Sequence, residues 1–268
     1  MEANLKSRLI TGLVGLPSLF LLIGWGSPWL VHCFFFLITL GALGEYFGMV
    51  FPQRFSDQVM GVVFGLLISA TVFLPELTTE ELILGPLLVL FLSIYLFRGG
   101  RLDERLTRLS WTLLGAVYLG YLLPQWSSLF RLPNGRMWVF FVLVVIMAGD
   151  TCAYFVGHRF GKKKLAPELS PGKTVEGALG YAAGSILAGC LMALFVKAGV
   201  SWMELAVLAA MLAVLGQLGD LFESWIKRVF SVKDSGTLLP GHGGLLDRLD
   251  SLIFPAVFAT AYLKVFHP

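Results

Sequence analysis

Residues 137–156 read MWVFFVLVVIMAGDTCAYFV, and Asp150 is the only charged residue among them. A helix of about 20 predominantly apolar residues covers the roughly 30 Å hydrocarbon core of a bilayer. The rest of the 268-residue chain is similar, since 57% of it is hydrophobic and only 14% is charged, with a mean hydropathy of +0.80. Soluble domains carry roughly 25% charged residues. The composition therefore indicates an integral membrane protein.

Further apolar segments of about the same length predict an all-α polytopic membrane protein with about nine transmembrane helices. In addition to 137–156, they are residues 9–23, 29–47, 59–74, 82–97, 109–123, 175–196, 203–226 and 252–266. The polar stretches between them are too short to fold separately. We therefore expect one integral-membrane domain over residues 1–268.

The distribution of positive charge predicts the orientation. With the N-terminus in the cytoplasm, 16 of the 20 Lys and Arg residues fall in cytoplasmic segments, as the positive-inside rule requires. An odd number of crossings then places the C-terminus outside, and the polar stretch 231–251 faces the cytoplasm. The net charge of +3 is small and the basic residues form no stripe, so nothing indicates a nucleic-acid partner.

Ionisable side chains in one apolar segment need an explanation, because each costs roughly 2.5–3.5 kcal/mol at membrane depth. Asp220, Glu223, Ser224 and Lys227 follow a spacing of i, i+3, i+4 and i+7. This spacing puts all four on one stripe of a helix. The sequence therefore predicts a polar seam that runs to the cytoplasmic end of this segment.

The last apolar segment begins with a similar arrangement, Asp247, Asp250 and Ser251, and Asp150 with Tyr154 forms a smaller one. Glycines interrupt the polar stretch between the two seams, at positions 241, 243 and 244. Glycines weaken a helix and let the backbone approach a ligand closely. Because the carboxylates concentrate here, residues 137–268 are expected to form the catalytic half, and residues 1–136 to contribute helices of no assigned role.

Several polar residues have a structural interpretation. A carboxylate such as Glu223 or Asp250 could simply form an ion pair with a nearby lysine. Glu45 has no polar neighbour at helical spacing, so we expect a structural or interfacial role and little loss of activity in Glu45→Gln. His158 is expected to belong to a basic interfacial cluster with Arg159 and residues 162–164, which would attract anionic head groups.

The pair Ser170 and Pro171 suggests the start of a helix, with the serine hydroxyl as its cap.

Taken together, the polar residues suit a polyphosphate substrate. Carboxylates on separate elements supply oxygen ligands for Mg²⁺, while glycine amides, Lys and Arg bind phosphate groups. The sequence therefore predicts phosphoryl or nucleotidyl transfer.

Residues 224–250, SWIKRVFSVKDSGTLLPGHGGLLDRLD, resemble the signature of the phosphatidate cytidylyltransferases, also called CDP-diacylglycerol synthases. That signature reads S-x-x-K-R-x(4)-K-D-x-G-x(5)-H-G-G-x-x-D-R-x-D, and every fixed position agrees. Residues 170–177 (SPGKTVEG) and 149–150 also resemble blocks of that family. Over residues 1–136 the resemblance extends only to the general multi-helix architecture.

The resemblance implies a transfer of CMP from CTP to phosphatidic acid, giving CDP-diacylglycerol and pyrophosphate in phospholipid biosynthesis. It implies a requirement for Mg²⁺, leaves open a second cation and a homodimer, and places the protein in the cell (inner) membrane with its active site facing the cytoplasm.

The same resemblance implies roles for individual residues. Asp220 and Asp247 would bind the metal, supported by Asp150, Glu223 or Asp250. The catalytic set would be Asp220, Asp247, Lys227, His242, Arg248 and Asp250. Substrate and phosphate binding would fall to Ser170, Lys173, Ser224, Arg228, Lys233, Asp234, Gly241, Gly243 and Gly244.

Two other functions would use similar residues. A CTP-dependent lipid-alcohol kinase must deprotonate a neutral hydroxyl and needs a base, whereas the four basic residues of the signature favour a phosphate acceptor. A transporter for an anion or an ion also carries buried carboxylates on broken helices. Against transport, the polar residues lie on one side of the membrane and the first half has no matching seam.

Overall fold

The computed structural model describes residues 15, 17–75, 80–196, 200–238 and 243–267. Over these ranges the chain is helical except for one short hairpin and the connecting loops. Residues 17–25 are helical. The following helices are α1 (Pro28–Val50), α2 (Phe55–Phe73), α3 (Glu80–Phe97), α4 (Leu102–Gly115), α5 (Gln125–Arg131), α6 (Gly135–Phe160), α7 (Val175–Met192), α8 (Trp202–Val229) and α9 (Leu246–Phe266). A π-helical segment, Ala116–Leu122, joins α4 to α5.

Within the described part of the chain, seven helical segments are long and apolar enough to cross a membrane. Six of them are α1, α2, α6, α7, α8 and α9, and the seventh is the continuous stretch Leu102–Arg131. The apolar part of α3, Ile83–Phe97, is shorter. The expected first span, residues 9–23, lies mostly outside the described residues. The all-α polytopic fold is confirmed, and the number nine stays a prediction.

The chain forms two compact units. The first comprises Met1–Ser128 and Asp234–Leu246, and the second comprises Leu129–Lys233 and Asp247–Pro268. Residues 234–246, which we call the signature loop, therefore belong to the unit built by the N-terminal helices.

The first unit depends on a close approach of α2 to the π-helical segment. Gly65 and Gly120 face each other there, since a Cβ on Gly120 would lie 2.5 Å from the Gly65 carbonyl oxygen. The Ser69 hydroxyl, also on α2, is 2.8 Å from the carbonyl oxygen of Gly120 and 2.8 Å from that of Gly65. A stacked pair of rings, Phe64 and Phe91, joins α2 to α3 with centroids 3.7 Å apart.

A buried ion pair closes one end of the same unit. Asp57, at the start of α2, is 1% exposed and lies 2.8 Å from the guanidinium of Arg98 and 3.8 Å from that of Arg108. Burial of a charge is costly unless it is paired, so these arginines are held inward by Asp57 and contribute to packing.

In the second unit, small residues let α7 pack closely on α6. A Cβ on Gly180 would meet Val156 at 2.7 Å, and one on Gly184 would meet Cys152 at 2.5 Å. The Ser185 hydroxyl donates to the Val145 carbonyl over 2.9 Å. These contacts fix the orientation of α6 against α7.

The connection between α6 and α7 differs from the expected helix start at Ser170. Residues Lys164–Ala166 (β1) and Ser170–Thr174 (β2) form an antiparallel hairpin. Helix α7 begins at Val175, and the Thr174 hydroxyl caps it by accepting from the Gly177 amide over 3.1 Å. The prediction for Ser170 was wrong because a local Ser-Pro pattern carries no information about pairing with a strand that lies earlier in the chain.

We predict that Gly120→Ala destabilises the protein, because the new methyl group would meet backbone at Gly65. Overpacking of this kind costs about 1–3 kcal/mol, measurable as a lower melting temperature in detergent. The matched control is Gly44→Ala on α1, where a Cβ meets nothing within 4 Å, and which should be neutral or slightly stabilising. Equal melting temperatures for the two variants would contradict this packing.

Candidate active site

A cavity of about 580 Å³ opens in the second unit, among α6, the hairpin, α7 and α8. Its polar lining includes Asp150, Tyr154 and His158 from α6, Lys173 from β2, Tyr181 from α7 and Asp220 from α8. Three predicted site residues, Asp150, Lys173 and Asp220, thus meet in one cavity although they are far apart in sequence.

An ion pair spans this cavity. The ammonium of Lys173 lies 2.7 Å from Oδ2 of Asp220, and both side chains are about one-quarter to one-third exposed. The hydroxyl of Ser224, one helical turn beyond Asp220, lies 3.4 Å from its Oδ1. Lys173 reaches this position because it immediately precedes the cap of α7. Partial exposure leaves both charges accessible to an incoming ligand.

A second lysine bridges two carboxylates deeper in the helices. Lys227 contacts Glu223, four residues earlier on α8, and its ammonium lies 2.6 Å from Oδ1 of Asp247 on the first turn of α9. Glu223 is 1% exposed, and its Oε1 has no hydrogen-bond partner among the described residues. Along α8, Ser224 contacts Asp220 and Lys227 contacts Glu223, as the predicted spacing on one helix face requires, and Lys227 also reaches α9.

Carboxylates outnumber ammonium groups around these contacts. Asp150 interacts electrostatically with Asp220, and Asp250 with Asp220 and Glu223. Asp250 also accepts from the Ser251 amide over 2.7 Å. Lys173 and Lys227 form ion pairs with members of this group. The site therefore favours binding of cations.

The remaining basic residues of the signature occupy other positions. The guanidinium of Arg228 donates to the Leu169 carbonyl over 3.1 Å, so it ties the end of α8 to the hairpin. Arg228, Lys233 and Arg248 are exposed. None of these three, nor Ser170, is among the described residues that line the cavity.

The signature loop contains the other predicted residues. Asp234 is exposed, Gly243 has a positive φ of 83°, and Gly244 is buried, all in the first unit. A positive φ suits glycine because other residues adopt it rarely. Gly241 and His242 lie outside the described residues.

Glu45 contradicts the expectation that it lacks polar partners. Its carboxylate accepts from the Ser235 hydroxyl over 3.1 Å, from the Leu238 amide over 3.2 Å and from the Leu246 amide over 3.0 Å. These partners follow Glu45 by 190 to 201 residues, so helical spacing could not reveal them. The reason given for a mild Glu45→Gln phenotype was therefore wrong.

The donor set suits a hard cation in chemical type, since carboxylate oxygens predominate. Within the described ranges, no three His, Cys, Asp or Glu side chains form a metal-binding group. Mg²⁺ in nucleotide sites commonly takes one or two carboxylates together with substrate phosphates and water. The carboxylates present fit that mode of binding.

Two features of the cavity were not predicted from the sequence. His158 lines it and stacks on Tyr154, with ring centroids 6.1 Å apart; the spacing of Asp150, Tyr154 and His158 at i, i+4 and i+8 could have indicated this. The Tyr181 hydroxyl is buried with no hydrogen-bond partner among the described residues. No sequence signal distinguishes this tyrosine.

Comparison with known proteins decides the family. The sequence pattern of the cytidylyltransferase family matches residues 6–266. This chain belongs to the cytidylyltransferase family. It is 32% identical to a phosphatidate cytidylyltransferase of Bacillus subtilis (strain 168), over 98% of this chain and 99% of the relative. A protein of the same name from Brucella suis biovar 1 (strain 1330) is 34% identical, over 98% and 95%.

A phosphatidate cytidylyltransferase of Staphylococcus saprophyticus is 46% identical over 121 residues, or 45% of this chain and 46% of the relative. The resemblance found in the signature is thus confirmed. It also extends through residues 1–136, where the sequence supported only a general architecture. The cytidylyltransferase is a multi-pass membrane enzyme that transfers a nucleotidyl group.

We predict that Lys227→Met strongly destabilises this cytidylyltransferase, because it leaves Glu223 and Asp247 without their shared cation. Breaking a buried ion pair costs about 3–5 kcal/mol, measurable as a fall in melting temperature in detergent. Adding Glu223→Gln to Lys227→Met should restore part of the loss.

Lys264→Met is the matched control, since Lys264 is an exposed lysine on α9 and its loss should leave the melting temperature unchanged. An unchanged melting temperature for Lys227→Met would show that the bridge contributes nothing to stability.

Proposed function

We propose that this chain is a phosphatidate cytidylyltransferase, which transfers CMP from CTP to phosphatidic acid and releases pyrophosphate. The observation that carries the proposal is the complete signature over residues 224–250, in a chain that matches phosphatidate cytidylyltransferases almost from end to end. The product, CDP-diacylglycerol, would serve phospholipid biosynthesis.

The reaction determines what the site must supply. An oxygen of the phosphatidate phosphomonoester forms a bond to the α-phosphorus of CTP, while the bond from that phosphorus to the bridging oxygen of the β-phosphate breaks. Pyrophosphate leaves with that electron pair. The attacking oxygen is already anionic, so no strong base is needed. The obstacle is repulsion between two anions, which catalysis overcomes through charge neutralisation and positioning.

The two lysines suit this task. Lys173 is partly exposed at the cavity and pairs with Asp220, so its ammonium can exchange a carboxylate partner for a phosphate oxygen. Lys227 is fixed between two carboxylates and holds Asp247 in place at the start of α9. Exposed Arg228, Lys233 and Arg248 would attract the anionic substrates toward this side of the protein.

Mg²⁺ is part of the proposal. Asp220 and Asp247 would hold it, with Asp150, Glu223 or Asp250 in support, and the same carboxylates would accommodate a second cation. When bound, Mg²⁺ would neutralise polyphosphate charge. The excess of carboxylates over ammonium groups supports this assignment.

We further propose nine transmembrane helices, a cytoplasmic N-terminus, an external C-terminus and location in the inner membrane. The charge distribution supports a cytoplasmic active site, where CTP is present. A lipid substrate could then reach the site from the plane of the bilayer. A homodimer, which the family resemblance allows, is also kept as a prediction.

Transfer of label from CTP to lipid tests the function and the side of the site together. With CTP labelled in the α-phosphate, inverted membrane vesicles containing the protein and phosphatidic acid should form labelled CDP-diacylglycerol, because they expose the cytoplasmic face. Sealed right-side-out vesicles should not form it, since CTP does not cross the bilayer.

Label transferred from the γ-phosphate to diacylglycerol would instead indicate a lipid kinase. Uptake of an anion or ion without any lipid product would indicate a transporter. Labelling confined to right-side-out vesicles would contradict the cytoplasmic site.

We predict that Asp220→Asn and Asp247→Asn each lower kcat by at least about 10²-fold, as removal of one preorganised electrostatic group commonly does. Asparagine keeps the shape and one oxygen but removes the charge that a hard cation requires. Folding should survive, and excess Mg²⁺ should rescue Asp247→Asn only weakly.

The measurements are turnover against Mg²⁺ concentration and melting temperature in detergent. Asp103→Asn is the control, since this aspartate forms an exposed ion pair with Arg101. Near-normal turnover in both site variants, or losses that follow unfolding, would leave only structural ion pairs at these positions.

A further inference from the structure

Glu45 on α1 is a buried carboxylate that the chemistry of CMP transfer does not use. It is 8% exposed, and both of its oxygens accept hydrogen bonds. Oε1 accepts from the Leu238 amide, while Oε2 accepts from the Ser235 hydroxyl and the Leu246 amide. A buried carboxylate is tolerated when such bonds replace its hydration.

The three donors come from both ends of the signature loop. Ser235 and Leu238 precede residues 239–242, and Leu246 follows them. Leu246 is also the first residue of α9, so its amide is one of the helix donors that lack an intrahelical acceptor. A carboxylate at this position is also favoured by the helix dipole. Glu45 thus closes the loop and caps α9 from another helix.

Two glycines of the signature are explained by this contact. A Cβ on Gly236 would lie 2.6 Å from the Glu45 carboxyl carbon, and one on Gly244 would meet the Ser235 hydroxyl and lie 2.7 Å from Oε2 of Glu45. A side chain at either position would displace the Glu45 carboxylate. These glycines allow the loop backbone to reach the Glu45 carboxylate. They are therefore explained by the packing of the loop, without a role in ligand binding.

We propose that Glu45 is a positioning residue for CMP transfer. It holds the signature loop and the first residue of α9 in the active conformation without touching substrate. Asp247, the proposed metal ligand, directly follows Leu246 in the chain, so a displacement of the Leu246 backbone would also displace Asp247. The effect on turnover rests on the proposed function, whereas the anchoring of the loop does not.

Glu45→Gln is the most direct test because it keeps the size of the side chain. The amide has one acceptor oxygen, and its NH₂ group would oppose the N–H of Leu238 or of Leu246. We expect kcat per folded molecule to fall about 10- to 100-fold, since small displacements at a reacting centre cost that much, with less than about a threefold change in the KM for CTP.

Hydrogen–deuterium exchange of the full-length protein in detergent supplies a readout besides activity. Peptides covering residues 234–246 should exchange faster in Glu45→Gln, while peptides from α6 to α8 should be unchanged. Glu104→Gln on α4 is the matched control, because Glu104 is about half exposed and pairs with Arg54 and Arg108. It should alter neither turnover nor exchange in the loop.

The outcomes separate the anchor from the proposed function. Unchanged exchange in the loop, faster exchange throughout the chain, or faster loop exchange with normal kcat would each overturn the positioning role. If the wild-type protein transfers no CMP, the proposed function fails, and exchange in the loop still decides whether Glu45 holds it.

Should Glu45→Gln not fold, Ser235→Ala decides, since it removes one donor and leaves the carboxylate in place. Faster exchange in the loop with a smaller fall in kcat would support the proposal, and no change in either would reject it.

Discussion

The bridge from Lys227 to Glu223 and Asp247 is the interaction on which the polar site of the second unit depends. Two carboxylates on apolar helices would repel each other and lose their hydration, and one ammonium offsets both effects. The bridge also fixes the first turn of α9 against α8. Together with the close approach of Gly219 to the Asp250 carbonyl, it holds the acidic start of α9 beside α8. The contacts that stabilise these helices therefore also position their carboxylates.

The charged side chains of the site outside this bridge are mainly negative, and this excess of negative charge suits the reaction. Carboxylates exceed ammonium groups around Asp220, while the exposed basic residues Arg228, Lys233 and Arg248 follow it in the chain. A site of this kind attracts cations to its interior and anions to its entrance. CTP and phosphatidic acid are both anions, so they would enter together with cations rather than meet a preformed positive pocket. Because Lys173 and Asp220 are partly exposed, a substrate phosphate or a cation could replace one partner of their ion pair.

Sequence reasoning succeeded where a property is periodic along one helix. The seam from Asp220 to Lys227 and the acidic start of α9 followed from spacing alone, because side chains three and four residues apart share a helix face. It failed where partners are distant. The hairpin that presents Lys173 depends on pairing between two short strands, and the Lys173 to Asp220 contact depends on how that hairpin meets α8. Neither leaves a local pattern. The place of His158 at the cavity was not predicted, although its spacing from Asp150 and Tyr154 could have indicated it.

The partners of Glu45 are also distant in sequence and could not be predicted from a local pattern. Its contacts give some fixed positions of the signature a structural role. Some fixed positions of the signature supply charge, but Gly236 and Gly244 are required for the backbone to approach a carboxylate about 200 residues earlier in the chain. The fixed positions of such a motif therefore include residues needed for packing as well as residues needed for the reaction. Under the proposed positioning role, α1 supplies the acceptor that holds the signature loop, which gives the N-terminal helices a specific part in the enzyme. In that role, residues 1–136 hold the signature loop in addition to lying in the membrane. This is consistent with a family match that begins at residue 6.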